Sequence, residues 1–388
     1  MSDERDYPEP DDPVESIEPV ELARRLRAGE PVHLLDTRNR DEIEQWHIQA
    51  PHRTDVPYMR FQAAEVTDTV GDLVEFGDEE VVVVCAEGEA SAYVAGLLAA
   101  EGVDAVNLAG GMYGWARLYE SYVLSEEPLV LQYARPSSGC LAYLVVSGTE
   151  AAVIDPLRAF AGRYVDDARE HGAVLSYALD THVHADHVSG LRELAAGGVG
   201  PVLPERAADR GYADPVRRLA DGETVTVGDA TVEAAAAPGH TTGITAYRVG
   251  DLLLTGDGLF LRRVPRPDLQ EGDVAAPEYA RELYRTLTER LARFEDDLRV
   301  APGHFDPSDG TGGPFVATLG ELRERLPVFG ESEDAFVERV TGAMGPQPAN
   351  YREVIEVNLG RESVGDSEAF ELELGPNNCA AGGAASAD

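Results

Sequence analysis

The run Thr181-His182-Val183-His184-Ala185-Asp186-His187-Val188-Ser189-Gly190 sets three histidines and an aspartate within six positions and closes on a Ser-Gly turn. Packing gives no reason to gather His and Asp on a glycine-flanked segment, whereas a metal ion does. Imidazole and carboxylate are borderline-to-hard ligands suited to zinc or iron, and histidines two apart on an irregular loop can grip one ion from the same side. The preceding residues, Ala173 to Leu179, read as a strand, so the cluster follows a strand end. Two more histidines stand in matching settings, His240 in Ala237-Pro238-Gly239-His240 and His304 in Ala301-Pro302-Gly303-His304, and Asp257 ends the apolar run LLLTGD. Glycine or Pro-Gly beside each polar residue marks a turn, and several such turns can aim side chains at one point. His33, His47, His52 and His171 lack this context and read as ordinary core or surface histidines.

Working outward, LVLQYARPSSGCLAYLVVSGTEAAVIDP (129–156) predicts two or three antiparallel strands joined by Ser-Gly and Gly-Thr turns. A helix is expected near Gly162 to His171, and Ala280, Leu283, Leu287, Leu291 and Phe294 space an amphipathic helix in PEYARELYRTLTERLARF (277–294). The N-terminal third differs in character. A short amphipathic helix leads to a buried strand around Val32 to Leu35 and a polar turn with Asp36 and Arg38. The continuous run Val81 to Val84 is the pattern of a strand covered on both faces, and it delivers Cys85 to a strand-to-helix junction. There, backbone N–H groups and a helix start stabilise a thiolate or an anion. Two domains are expected: an acidic leader 1–14, an α/β domain 15–122, the polar stretch Ser121 to Glu127 as linker, a second domain 128–375 and a flexible tail 376–388.

Composition narrows the function classes. The formal charge is −39, from 71 acidic and 32 basic residues, which disfavours non-specific binding to nucleic acid or anionic membrane. Every basic residue is arginine, which removes lysine Schiff-base chemistry and the P-loop lysine. Cys85, Cys140 and Cys379 are too few for a disulfide framework and suit a reducing compartment. No stretch reaches the roughly 20 apolar residues that span a bilayer, so the expectation is a soluble, cytoplasmic protein, and a homodimer is compatible with it. A carboxylate-coated, lysine-free surface resembles that of halophilic proteins, whose self-repulsion is screened over about 3 Å near 1 M salt. The melting temperature is therefore expected to rise from dilute buffer to molar KCl; thermal denaturation in both media is the check.

The segments LLDTRNRDEIEQWHI, VVVVCAEGEAS and VDAVNLAGGMYGWARL resemble the rhodanese family of sulfurtransferases over about the first third of the chain. The resemblance implies that Cys85 carries a persulfide, with sulfite or thiosulfate as partners, although Glu87, Glu89 and Ala90 stand in a loop where many members place a basic residue. THVHADH, APGHTTG, LLTGD and the second APGH together resemble the metallo-β-lactamase superfamily from about Leu129 to the neighbourhood of Pro327, implying an αββα sandwich with a metal at one edge of its sheets. Within it, YALDTHVHADHVSG, APGHTTGITAYRVGDLLLTGDGLFLRR, RPDLQEG and PANYREVIEVNLG look most like the persulfide dioxygenase branch. That branch implies one Fe(II) per chain on His182, His240 and Asp257, with His184, Asp186, His187 and His304 as neighbours or second-site ligands. It also implies Arg266 as the residue holding a carrier thiol's carboxylate. Val264 replaces the branch's usual cysteine.

The ligand list leaves two enzymes open. A two-His-one-carboxylate iron leaves three positions for O2 and substrate, and would turn a small thiol persulfide into sulfite. Alternatively, a dinuclear zinc site using Asp186, His187 and His304 as well would generate a hydroxide and act as a hydroxyacylglutathione-hydrolase-like thioesterase. A third reading, a sulfur-carrier or persulfide-sensing module with a structural metal, is opposed by a ligand set that leaves open positions. The Arg-rich stretch with Arg262, Arg263 and Arg266 equally reads as salt-bridged surface.

Overall fold

The computed structural model describes residues 7–8, 13–306, 312–375 and 379. Most of the expected leader, and all of the expected tail except Cys379, lie outside these. The chain forms two units, one built mainly on residues up to Tyr119 and one on residues from Glu120.

The first unit is a five-stranded sheet in the order Ser16–Ile17, Ala105–Leu108, Glu80–Val84, Val32–Asp36, His52–Asp55, with every pairing parallel. Its central strand explains the valine run. Val82 and Val84 pack with Leu22, Ile48 and Trp115 on one face, while Val81 and Val83 pack with Phe61, Val94 and Leu98 on the other. A parallel strand connected through helices is covered twice, so an unbroken β-branched run is what it requires. Asp36, fully buried at the end of the neighbouring strand, is neutralised in place by Arg38, whose Nη2 reaches it at 2.7 Å.

The second unit is an αββα sandwich. A seven-stranded sheet runs Arg217–Leu219, Gly200–Pro204, Val174–Leu179, Glu150–Ile154, Leu141–Ser147, Leu129–Ala134, Glu120–Glu126. A six-stranded sheet runs Thr224–Val227, Ala230–Ala236, Thr245–Val249, Leu252–Gly256, Arg299–Pro302, Ala317–Thr318. Alternation along the strands builds the core: Leu141, Tyr143 and Val145 face Val225, Val232 and Tyr247 of the opposing sheet. Outside the second sheet, Ala280, Leu283, Leu287 and Leu291 cover Leu253 and Val300. The expected amphipathic helix is thus present, as Ala276–Arg285, but it widens to π geometry over Thr286–Arg290 and tightens to a 3-10 turn over Leu291–Arg293.

One expectation fails here. Ser121 to Glu127, polar enough to read as a linker, lies almost wholly in the strand Glu120–Glu126, paired antiparallel to Leu129–Ala134. It is an edge strand with one wet face, laddered along one side only, so its composition is polar although it belongs to the sheet.

Candidate metal centre

The C-terminal ends of five strands converge. Asp155 follows Glu150–Ile154, Thr181 and His182 follow Val174–Leu179, His240 follows Ala230–Ala236, Asp257 follows Leu252–Gly256, and His304 follows Arg299–Pro302. Glycine is needed at two of these turns for room. A Cβ on Gly303 would lie 2.6 Å from Asp257 Oδ1, and one on Gly239, at φ +143°, 2.4 Å from the Leu283 Cα.

His182, His240 and Asp257 form one buried group whose donor atoms all lie within 4.8 Å of one another. His240 Nε2 and His182 Nε2 stand 3.7 and 3.9 Å from Asp257 Oδ2. The hydrogen bonds behind them set the tautomers. His240 Nδ1–H donates to the Arg266 carbonyl at 2.7 Å, which leaves Nε2 with its lone pair. Thr181 Oγ1 gives its proton to Asp155 Oδ2 at 2.9 Å and so accepts from His182 Nδ1–H, also at 2.9 Å. His182 Nε2 and Asp257 Oδ2 are buried with no hydrogen-bond partner, as are His184 Nδ1 and His187 Nε2. Unsatisfied buried polar atoms are costly, and a nitrogen lone pair facing an unpartnered carboxylate oxygen is the donor set a cation satisfies. The residues present therefore fit a metal ion.

Electrostatics agree. Burial, reinforced by neighbouring imidazoles, holds His182 well below the ordinary histidine range, and burial also lowers His240, so both offer neutral nitrogens. Burial opposes ionisation of Asp257, but the facing His304 outweighs it and holds the carboxyl low. His304 spans two carboxylates, with Nδ1 2.6 Å from Asp257 Oδ1 and Nε2 3.0 Å from Asp186 Oδ2. Burial opposes its protonation, yet the two carboxylates raise it well above the ordinary range.

The other sequence candidates sort around this group. Asp186, His187 and His304 cluster with Cys140, with His187 Nδ1 2.9 Å and Cys140 Sγ 3.3 Å from Asp186 Oδ2. His184 instead turns its Nε2 to Asp155 Oδ1 at 3.1 Å. Arg266, expected to hold a carrier carboxylate, is buried: Nε and Nη2 bind Asp268 at 2.7 and 2.8 Å, Nη1 bonds the Pro346 carbonyl at 2.7 Å and Nη2 the Gly345 carbonyl at 3.0 Å. Arg266 is thus ion-paired inside the fold, whereas the second reading of the Arg-rich stretch expected a surface pair. Sequence reasoning passed over Asp155, Cys140 and Cys379. Asp155 had a readable signal, a polar residue closing the apolar run AAVID just as Asp257 closes LLLTGD. Cys379, expected in a flexible tail, is buried with its carbonyl accepting from Arg266 N–H at 3.0 Å.

In the first unit, Cys85 is buried at the end of Glu80–Val84, directly before the helix Glu89–Ala100. Gly88 N–H donates to its sulfur at 3.0 Å, and Ser91 Oγ lies 3.1 Å away. Ser91 Oγ is also 2.7 Å from Asn107 Oδ1 and 3.2 Å from the Gly88 carbonyl. Gly111, at φ +55°, brings backbone against this turn so closely that a Cβ would lie 2.5 Å from the Cys85 carbonyl. Glu87 and Glu89 are exposed.

Residues 18–118 match the rhodanese-like domain family, and residues 136–304 the metallo-β-lactamase superfamily. The human mitochondrial protein persulfide dioxygenase ETHE1 is 29% identical over 243 residues, 61% of this chain and 89% of the human protein. The crystal structure of ETHE1 from Myxococcus xanthus superposes with a TM-score of 0.52 at 27% identity, covering 60% of this chain and 98% of that one. A metallo-β-lactamase from Staphylococcus aureus superposes with a TM-score of 0.56 at 23% identity, over 61% of this chain and 73% of its own, which speaks to fold alone. No helix among the described residues is long and apolar enough to cross a membrane.

Proposed function

Because the chain joins a rhodanese-like domain to a metallo-β-lactamase-superfamily domain homologous to the ETHE1 persulfide dioxygenases, we propose that it oxidises the sulfane sulfur of a low-molecular-weight thiol persulfide to sulfite with O2. The metal is one Fe(II) per chain, held by His182, His240 and Asp257. The observation that carries this reading is the three-donor group with two of its atoms buried and unpartnered. When bound, iron supplies the redox reactivity toward O2 that zinc lacks, with positions left over for dioxygen and sulfur.

The chain's own residues do the rest. Thr181 and the Arg266 carbonyl fix the two imidazoles by their Nδ1 protons. His304 holds a proton against Asp257 Oδ1, so the carboxylate stays ionised and oriented. Phe260, Val183 and Ala185 pack in one apolar cluster beside the histidine segment and keep water from it. The thioesterase reading draws on Asp186, His187 and His304 for a second ion. Here His187 Nδ1 and His304 Nε2 both turn to one Asp186 oxygen, and His304 Nδ1 to Asp257; the metal count in the reconstituted protein separates the two readings.

We assign the N-terminal domain a sulfur-transfer role through Cys85, whose sulfur receives a backbone N–H as a charged sulfur would require. Three cysteines without a disulfide fit the reducing cytoplasm. The test is oxygen consumption by iron-reconstituted protein in molar KCl with fresh thiol persulfide, alongside metal analysis. Persulfide-dependent uptake with sulfite formed and about one iron per chain is expected. No uptake, with two zinc ions and cleavage of a thiol ester, would overturn it. Cys85→Ser is expected to abolish sulfur transfer to an acceptor while sparing uptake on added persulfide; measuring both rates on one preparation checks the separation.

A further inference from the structure

With its guanidinium committed to Asp268 and two carbonyls, Arg266 leaves an anionic carrier thiol without a cation. Among the described residues, Arg60, Arg206, Arg210 and Arg293 make no hydrogen bond or ion pair, and of these Arg210 alone is half-buried rather than exposed. A charged group drawn out of water without a partner is costly. Burial lowers Arg210 from the ordinary arginine value, Arg361 adds to that, and Tyr279, Glu271 and Glu356 do not make up the difference. Glu356 is itself taken by Arg361 at 2.9 Å, and Glu271 is exposed.

The turn that carries Arg210 lies against the loops that carry the metal donors. Arg210 N–H donates to the Ala207 carbonyl at 3.2 Å, and Ala207 packs in one apolar cluster with Val183, Ala185, Phe260 and Leu269. A Cβ on Gly243 would lie 2.4 Å from the Ala207 nitrogen, so the loop that follows His240 is pressed onto this turn. That loop is tied in its turn to the residue before Glu271, with Thr242 N–H donating to Gln270 Oε1 at 2.9 Å. The Arg361 guanidinium donates to the Arg210 carbonyl and holds the backbone there.

Resting on the persulfide-oxidising reading of the metal centre, we propose that Arg210 binds the carboxylate of the thiol that carries the sulfane sulfur, and so selects carboxylate-bearing persulfides. A chain of net charge −39 repels anions at a distance, so an anionic substrate needs a local cation that is not already neutralised. A guanidinium meets a carboxylate through two parallel N–H donors, and partial burial strengthens the pair by excluding water from it. The half-buried Tyr279 brings a phenol O–H to the same neighbourhood.

The probes are the persulfides of N-acetylcysteine and of N-acetylcysteine amide, which differ by one carboxylate. Steady oxygen uptake by the iron-loaded full chain is measured with each in molar KCl, which screens the long-range repulsion. The unmodified chain is expected to use the acid at least about tenfold better in kcat/KM. In R210Q the KM for the acid rises by that factor with kcat and iron content unchanged, and the amide kinetics do not move; R210K recovers part of the loss. Calorimetric titration of the same iron-loaded chains, without oxygen, with the two parent thiols reads the preference independently of turnover. An unmodified chain that does not prefer the acid would overturn the proposal, a result that depends on no variant's folding. R210Q losing the same factor with both persulfides, the mark of a structural role, would overturn it as well. No uptake with either persulfide, alongside a thiol preference that R210Q abolishes, would overturn the oxidative reading and keep Arg210 as the carboxylate site.

Discussion

Asp257→Ala is expected to empty the metal site and reduce persulfide-dependent oxygen uptake to background. The substitution removes one of three donors and also the oxygen that His304 Nδ1 contacts at 2.6 Å. Loss of a partner that merely orients a ligand costs about 10- to 100-fold in metal affinity, so loss of a donor should cost at least that. Metal analysis after dialysis and an oxygen electrode read the two effects separately. Asp257→Asn keeps an oxygen but not the charge, and should rank between the two proteins in metal affinity. A full metal complement and undiminished uptake in Asp257→Ala would remove Asp257 from the site.

The second large effect is on stability. Arg266→Ala would strand Asp268, which is buried and held by a two-pronged contact. Breaking a buried pair by removing one partner costs about 3–5 kcal/mol, because the remaining charge stays desolvated. Arg266→Lys should recover little, since an ammonium cannot match both carboxylate oxygens and two carbonyls in the plane of a guanidinium. Chemical denaturation of the three proteins measures the difference. The sign of the pH effect follows from the same pair. Burial opposes ionisation of Asp268, but Arg266 and Gln347 outweigh it and hold the carboxyl below the ordinary range. Its contribution is therefore present above the ordinary aspartate range and lost as pH falls through the lowered value. The acid limb of the stability profile should be shallower in Arg266→Ala.

Local patterns carried much of the fold. The valine run before Cys85 and the strand-turn-His segments mark a doubly covered parallel strand and a set of strand ends, because side-chain period and turn chemistry are local properties. What sequence could not show was set by non-local pairing. Glu120–Glu126 is polar because one face is wet, and only its pairing with Leu129–Ala134 makes it a strand. Arg266 read equally as a ligand-binding or surface cation, and its burial depends on Gly345 and Pro346, far along the chain. Within the histidine cluster, composition gathered the donors but could not divide them. That division rests on which ring nitrogen each carbonyl, hydroxyl and carboxylate takes.

The hydroxyl of Ser91 owns a single proton and has three acceptors in range: Asn107 Oδ1 at 2.7 Å, Cys85 Sγ at 3.1 Å and the Gly88 carbonyl at 3.2 Å. Against a neutral thiol the amide oxygen, nearest and a good acceptor, takes it. An ionised sulfur is the stronger acceptor, since charge-assisted bonds are about twice as strong as neutral ones. A rotation about one side-chain bond would redirect that proton to a charged sulfur without any change of backbone hydrogen bonding.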